Sequence, residues 1–348
     1  MVITDVTSVG HFRIGWPGMY LRDNFSDEIE ITVKFITDVV VWDVIELSRY
    51  DIIHYNRVFG LLESTVELLT LLRNAGIILI MDIDDYWEYP DEYPVKQWNL
   101  DQFEDWELGM EAHAIQILEN VDYVTTTTEI FRQEILVHNK NVEVLPNAIN
   151  LDHPMWKYKQ EPRDIVKIGW LGSCQRYGDL VTLKESIENL YNDVELKGKF
   201  AFLQVGGDDI DNKIFEGPGF KHIKMQDAHV YGTNYKEVDI SIAPLLDNKF
   251  NKCKSEIKMV EAGMNKKAFV GQDAVGIYPQ HIIHGENGFL IKDTSEWYKY
   301  LKMLILDKDL RIRLGENLHK YVNPKFSIAE ISKQRIAFYK KVMNEKVV

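Results

Sequence analysis

Short β-rich segments alternate with helical segments along this 348-residue chain, and this alternation limits the fold more than any other feature. Strand candidates in the first half are EIEITVKFI, YDIIHYN, GIILIMDI, VDYVTTTT and VEVLPN, and those in the second half are VKIGWLGS, FAFLQVGG, KHIKMQ, VDISIAPL, KAFVGQD and GFLIK. Several are apolar on both faces, as are strands of a parallel sheet that helices cover. The pattern predicts two doubly wound α/β sheets of about five to six strands each.

A turn-rich segment, VLPNAINLDHPMWKYKQEPRD, separates the two sets of strands. We therefore expect a first Rossmann-like domain over residues 1–156 and a second over residues 157–327. Residues from about 328 to 348 should form a helix that returns to the first domain. Ligands of such folds bind at the carboxyl ends of the strands, so two facing domains would hold theirs in the intervening cleft.

The two halves of the chain carry opposite charge. Residues 1–156 hold 9 Lys and Arg against 28 Asp and Glu, whereas residues 157–348 hold 31 against 26. An acidic half repels nucleic acid and anionic lipid, while a mildly basic half accepts phosphate. We therefore expect the two halves to bind different ligands.

Signals for export, membrane insertion and disulfide bonding are not evident in the sequence. The start, MVITDVTSVGHFRIGW, lacks the basic and apolar regions of a secretory signal, and the longest apolar runs are strand-sized. The only cysteines are Cys174 and Cys253. These features predict a cytoplasmic protein without a transmembrane segment, and they leave its oligomeric state open.

The segment APLLDNKFNKCKSEIKMVEAGMNKKAFVGQD, residues 243–273, is the most informative about chemistry. Ser255 is placed to cap a short helix, at whose N-terminus Lys254, Ser255 and Lys258 would cradle a phosphate. Lys258 and Glu261, three residues apart, share one helix face, and Glu261 could accept hydrogen bonds from ribose hydroxyls. The alternative is an amphipathic surface helix with a solvated Lys–Glu pair.

A second candidate phosphate contact follows the first strand of the second half. In KIGWLGSCQRYGDL, Gly172 and Ser173 would let the backbone approach a ligand, and Arg176 would supply a fixed positive charge.

Three carboxylates follow a buried strand in IILIMDIDDYWEY: Asp82, Asp84 and Asp85. Their Asp-x-Asp spacing is typical of a divalent metal site beside a diphosphate. However, such a site would put the diphosphate in the acidic half, away from the Lys–Glu helix. Aspartates that cap the turn after a strand are the other alternative that the residues allow.

The ordered set VLPNAIN, IGWLGS, DISIAPL, CKSEIKMVEAG and HGENGFLI resembles the retaining, nucleotide-sugar-dependent glycosyltransferases of the GT-B fold, family 4. The N-terminal VGHFRIGWPGMYL resembles the family's first loop, in which a glycine is followed by Arg and Pro before a helix. The resemblance implies a metal-independent transfer from a nucleotide diphosphate sugar to an acceptor hydroxyl. The second domain would hold the donor, and the first would hold the acceptor through Gly10, His11 and Arg13.

Glu261 matches the ribose-binding, second Glu of the family's Glu-x7-Glu pattern, whereas Cys253 stands where the first Glu belongs. The resemblance makes Arg176 and Lys258 the basic pair that steadies the leaving diphosphate, with Lys254 as an alternate. The missing contact to the donor sugar would then fall to Asp247, Asn248 or Asn251.

The resemblance also gives the acidic loop a third interpretation. In the family this loop approaches the transferred sugar, so Asp84 and Asp85 would accept a hydrogen bond from the sugar or deprotonate the acceptor, while Asp82 caps or orients.

We expect no cofactor and no bound metal, with a UDP-sugar as the favoured donor and a GDP-sugar as the next. The acceptor would be a glycan, small molecule or protein, and the acidic first half disfavours hydroxymethylated DNA. A GT-B sugar-nucleotide 2-epimerase and a non-catalytic relative that binds nucleotide sugars remain alternatives, the latter because of Cys253.

Overall fold

The computed structural model describes residues 1–5, 7–41, 43–57, 65–90, 106–160, 162–172, 177–207, 213–273 and 276–346. Two sheets of six strands each form its frame, and every strand pair within them is parallel. This architecture confirms the predicted fold class of two doubly wound α/β sheets. The segment between the two sheets includes the predicted domain boundary at residues 156 and 157, which stays a prediction.

The first sheet has the strand order β2-β1-β3-β4-β5-β6. Its strands are β1 (Val2–Thr4), β2 (Val33–Phe35), β3 (Ile52–Asn56), β4 (Ile78–Asp82), β5 (Tyr123–Thr126) and β6 (Val142–Val144). The sequence pattern did not identify β1, because three residues are too few to show an alternation. β4 is buried along its whole length, which explains why its apolar run was the clearest strand signal.

The second sheet has the order β12-β11-β10-β7-β8-β9. Its strands are β7 (Val166–Gly172), β8 (Phe200–Gly206), β9 (Lys221–Ile223), β10 (Ile240–Ala243), β11 (Ala268–Gln272) and β12 (Phe289–Ile291). All six coincide with predicted strand segments. β7 and β10 are adjacent at the centre, so the loops that follow them open side by side at one edge.

Helices cover both sheets. Those of the first half are α1 (Ser8–Gly10), a π-helix (His11–Gly15), α2 (Trp16–Asn24), α3 (Val44–Leu47), α4 (Thr65–Asn74), α5 (Trp106–Asn120) and α6 (Glu129–Ile135). Those of the second half are α7 (Tyr177–Val181), α8 (Lys184–Asn192), α9 (Ala228–Tyr231), α10 (Lys249–Lys252), α11 (Ile257–Met264), α12 (Glu296–Leu306), α13 (Lys308–Phe326) and α14 (Ile328–Lys346). Short 3₁₀ turns span Ile36–Asp38, Pro154–Trp156, Val194–Leu196, Gly232–Glu237 and Tyr278–Gln280. In the part of the chain described, no helix has the length and apolarity to cross a membrane.

The last helix returns to the first sheet, as predicted. Ile336, Phe338 and Val342 of α14 pack in one apolar cluster with Val2 and Ile80. The preceding helix, α13, packs instead on the second sheet.

The two points where the chain passes between the sheets are bonded to each other. The Ile149 N–H donates to the Phe326 carbonyl at 2.9 Å, and the Ile328 N–H donates to the Ile149 carbonyl at 3.0 Å. The segment after β6 and the junction of α13 with α14 therefore lie side by side.

Candidate functional site

A cleft of about 270 Å³ lies between the carboxyl edges of the two sheets. The first half contributes the loop after β4 and the helical segment near Phe12, and the second contributes the ends of β7 and β10 and the start of α11. Its lining includes these predicted site residues: Arg13, Asp84, Asp85, Gly172, Lys254, Ser255, Lys258 and Glu261. Residues from distant parts of the chain thus converge where the fold was expected to hold its ligands.

Asp82 is buried inside the first half, where it forms a bidentate salt bridge with Arg13. Arg13 donates from Nε to Oδ1 at 3.0 Å and from Nη2 to Oδ2 at 2.8 Å, and the Thr125 hydroxyl donates to Oδ2 at 2.6 Å. The side chains of Arg13 and Asp82 are only 1% and 0% exposed. The third Arg13 nitrogen, Nη1, donates to the Leu145 carbonyl at 2.6 Å. Asp82 therefore orients Arg13, and a contact of Arg13 with an acceptor stays a prediction.

Asp84 is the cleft carboxylate with the most perturbed environment. Its Oδ1 is buried, accepts no hydrogen bond from the residues described, and lies 3.6 Å from Nη2 of Arg57. Burial and the adjacent charge of Asp85 raise the pKa of Asp84 to about 6. A carboxylate that changes protonation state near neutral pH is suited to receive a proton.

Asp85 forms a salt bridge across the cleft. The Lys254 ammonium, from the loop before α11, lies 2.8 Å from Asp85 Oδ1, and the two side chains are 13% and 26% exposed. Arg57 donates to the Asp85 carbonyl at 3.1 Å and thereby fixes the loop. The sequence did not single out Arg57, although it directly follows β3 at the same edge of the sheet.

The start of α11 differs from the prediction by one residue. The Val260 N–H donates to the Glu256 carbonyl, so Glu256 holds the N-cap position and the assignment of Ser255 as the cap is wrong. Ser255 still lines the cleft, one residue before the cap. Glu256 is 2% exposed, and burial raises its pKa to about 7.

Glu261 and Lys258 belong to a buried network and not to a solvated surface pair. Tyr231 and Tyr235 each donate from their hydroxyl to Glu261 Oε2 at 3.1 Å. The Lys258 ammonium donates to the Tyr231 hydroxyl at 2.8 Å and lies 3.6 Å from Glu261 Oε2. Glu261 is 2% exposed, which excludes the amphipathic surface-helix alternative. The two tyrosines lie 26 and 30 residues before Glu261, so local sequence gave no signal for them.

Gly172 ends β7 at the cleft, and a Cβ there would overlap the Trp170 ring. Ser173 and Arg176, its predicted partners at the diphosphate, lie outside the described residues, so their roles stay predictions.

The position of the missing first Glu is apolar. Cys253 is 1% exposed and packs in the core cluster of the first sheet with Phe250. The three proposed replacements have partners elsewhere: Asp247 pairs with Lys252 at 2.6 Å, Asn248 accepts from the Asn251 N–H, and Asn251 donates to Asp179 at 2.8 Å. The contact that these residues were expected to make with a donor sugar stays a prediction.

Gly10 and His11 lie beside the cleft. A Cβ on Gly10 would overlap the Asp5 carboxylate, so this position requires glycine. The His11 ring stacks on Trp16 at 5.4 Å between centroids and meets the edge of His229, from the second half, at 4.9 Å. Burial and His229 lower the pKa of His11. These contacts place His11 where the two halves meet.

Carboxylates and imidazoles are not gathered into a metal site anywhere in the described ranges, where no group of three or more His, Cys, Asp or Glu could hold an ion.

Comparison with known proteins shows the fold. No family model matches the chain, and no curated protein matches it. Among solved structures, the HepE protein of Anabaena in complex with UDP superposes with a TM-score of 0.65 at 12% identity, covering 98% of this chain and 99% of that one. A Rickettsia africae glycosyltransferase gives 0.62 at 14%, with coverage of 98% and 97%.

A sucrose-phosphate synthase of Thermosynechococcus elongatus gives a TM-score of 0.58 at 17% identity, with coverage of 85% and 75%. Together with the two parallel sheets and the cleft between them, these similarities show that the chain has the GT-B fold.

Proposed function

We propose that this protein is a glycosyltransferase that moves a sugar from a nucleotide diphosphate sugar to an acceptor hydroxyl. The proposal rests on the cleft, where Lys254, Lys258 and Glu261 of one half face Asp84 and Asp85 of the other. A donor with two phosphates and a ribose matches the cationic wall, and an acceptor hydroxyl matches the acidic wall. The HepE complexes with UDP and UDP-glucose support a UDP-sugar as the first donor to test, with a GDP-sugar next.

The donor would be held by the second half. Glu261 accepts hydrogen bonds from ribose hydroxyls, while Lys254, Lys258 and the backbone near Gly172, Ser173 and Ser255 face the diphosphate. Arg176, as predicted from the resemblance, adds a further cation. Stabilisation of negative charge on the departing diphosphate is the main contribution of these groups to the rate.

We propose that the transfer needs no metal, because lysine ammonium groups already supply positive charge at the expected diphosphate position. Asp82 is turned away into its salt bridge with Arg13, and Asp85 is paired with Lys254. Two of the three acids in this segment, Asp82 and Asp85, therefore serve separate ion pairs in this proposal.

The acceptor would enter from the side of Gly10, His11 and Arg13. Asp84, with its raised pKa, receives the acceptor proton or a hydrogen bond from the transferred sugar. We propose retention at the anomeric carbon, as the resemblance implies, and a glycan, small molecule or protein as the acceptor. Nucleic acid is disfavoured by the acidic charge of the first half.

A non-catalytic protein that binds nucleotide sugars is the second candidate. It is favoured by one observation, the buried apolar site of Cys253 where the family pattern has a carboxylate. Measurable sugar transfer or donor hydrolysis would eliminate it.

Titration calorimetry with UDP, GDP, UDP-glucose and GDP-mannose, with and without EDTA, tests the proposal. We expect at least one nucleotide to bind, binding to persist in EDTA, and Lys258→Met to weaken it about tenfold or more. Lys252→Met is the matched control, since Lys252 pairs with Asp247 outside the cleft lining. Absence of binding to every nucleotide would overturn the assignment, and loss of binding in EDTA would overturn metal independence.

A further inference from the structure

We propose that Tyr231 and Tyr235 are positioning residues that turn one oxygen of Glu261 toward the cleft and make it selective for ribose over deoxyribose. This inference rests on the proposed nucleotide-sugar function. It concerns two residues that the sequence pattern did not suggest.

Both tyrosines donate a hydrogen bond to the same carboxylate oxygen of Glu261. Their hydroxyls lie 3.1 Å from Glu261 Oε2. The Lys258 ammonium can donate hydrogen bonds but cannot accept them, and it donates to the Tyr231 hydroxyl at 2.8 Å. The proton of Tyr231 must therefore point to Glu261, so Oε2 receives two donated hydrogen bonds.

The other oxygen is the one left for a ligand. Within the described part of the chain, no protein donor contacts Oε1, and Glu261 lines the cleft. A carboxylate oxygen accepts hydrogen bonds and donates none, so it selects hydroxyl or amine donors. The vicinal hydroxyls of ribose are such donors, and a 2′-deoxyribose has lost one of them.

The tyrosines stay protonated under all physiological conditions. Burial and the charge of Glu261 raise the pKa of both hydroxyls well above the ordinary value for tyrosine. They therefore remain hydrogen-bond donors to Glu261. Without such donors, a buried carboxylate would be destabilised by incomplete solvation and would also be free to rotate.

Tyr231 has a second effect on the site. Its hydroxyl lies between the Lys258 ammonium and the Glu261 carboxylate, which are 3.6 Å apart, so it links the predicted diphosphate contact to the predicted ribose contact. Tyr235 is fully buried and is not part of the cleft lining, so it can reach a ligand only through Glu261; its hydroxyl also has a hydrogen bond with Ser241 inside the second half. Tyr235→Phe is therefore the cleaner variant, and Tyr231→Phe is the second.

The test measures affinity for two ligand pairs, UDP with 2′-deoxy-UDP and GDP with 2′-deoxy-GDP, by calorimetry. For the pair that binds, wild-type protein should prefer the ribonucleotide by about tenfold or more. Tyr235→Phe should weaken the ribonucleotide several-fold and the deoxyribonucleotide less, because the latter has only one hydroxyl left to donate to Glu261, and so reduce the preference. A role in folding alone would weaken both ligands equally.

Tyr191→Phe is the matched control, because it removes another half-buried hydroxyl of the second half that donates to the Phe215 carbonyl, away from Glu261. It should leave the preference at the wild-type value. The inference is overturned if wild-type protein binds both sugars equally, or if Tyr235→Phe and Tyr231→Phe both keep the wild-type preference. Wild-type protein that binds no nucleotide at all overturns the proposed function itself, which separates the two failures.

Discussion

Two salt bridges start three residues apart, one at the last residue of β4 and one in the loop that follows, yet they have different surroundings. Arg13–Asp82 lies wholly within the first half, with side chains that are 1% and 0% exposed. Lys254–Asp85 crosses the cleft, with side chains that are 13% and 26% exposed. A fully enclosed pair has no alternative partner, whereas a pair that lines a cleft can exchange one partner for a charged ligand. The comparison separates a charge that maintains the fold from charges that are available for function.

The largest effect should follow from removing the enclosed carboxylate. Asp82→Asn leaves the Arg13 guanidinium buried without its countercharge, and we expect the free energy of unfolding to fall by about 3–5 kcal/mol. Urea denaturation followed by circular dichroism measures it. A loss below about 1 kcal/mol, the range of exposed pairs, would remove the distinction between the two salt bridges.

An intermediate effect should appear in the pH dependence of Asp84, which lies between the two pairs. Its pKa in the folded protein is about 6, raised by burial and by Asp85 from an ordinary value of 3.8. Between these values the folded state binds more protons than the unfolded state, so this group's contribution to stability is lost as pH rises through the window. We therefore expect the free energy of unfolding, measured from pH 4 to 7, to change with rising pH in a less destabilising way in Asp84→Asn than in wild type. An identical slope would contradict the raised pKa.

The same group predicts a limit on activity. If Asp84 must be ionised to receive a proton, the transfer rate should fall as pH drops below about 6. A rate profile that is flat between pH 5 and 7 would show that Asp84 is not the proton acceptor.

The smallest effect on stability should come from the pair that crosses the cleft. We expect Asp85→Asn to change the free energy of unfolding by less than about 1 kcal/mol. The same change should strengthen the binding of the nucleotide that wild-type protein prefers, because Lys254 no longer has to leave Asp85 to reach a phosphate. Asp152→Asn, which removes the partner of Lys157 outside the cleft lining, should leave nucleotide affinity unchanged. Weaker nucleotide binding in Asp85→Asn would show that the pair supports the site and does not compete with its ligand.

Much of the fold was accessible from sequence because its signals are local. β4 was recognisable from its continuous apolar run, and the shared face of Lys258 and Glu261 follows from helical geometry. β1 was missed because three residues carry no period.

The contacts that give each site residue its environment are long-range and were therefore hidden. Three aspartates in DIDD-type sequence look alike until Arg13, Arg57 and Lys254 arrive from other segments. Likewise, nothing in HVYGTNY indicates that Tyr231 and Tyr235 point at Glu261, because their contact depends on how α9 and the 3₁₀ turn after it are placed against α11.

The paired crossings between the two sheets have a mechanical consequence. A single flexible connection would let one half rotate relative to the other about any axis. Here Ile149 is hydrogen-bonded to both Phe326 and Ile328, so the two connections lie side by side as one narrow, hydrogen-bonded pair of segments. Two adjacent attachment points remove rotational degrees of freedom, and we expect the remaining motion to be a swing about one axis. Such a motion would widen or narrow the gap between Asp85 and Lys254 without shearing one wall of the cleft along the other.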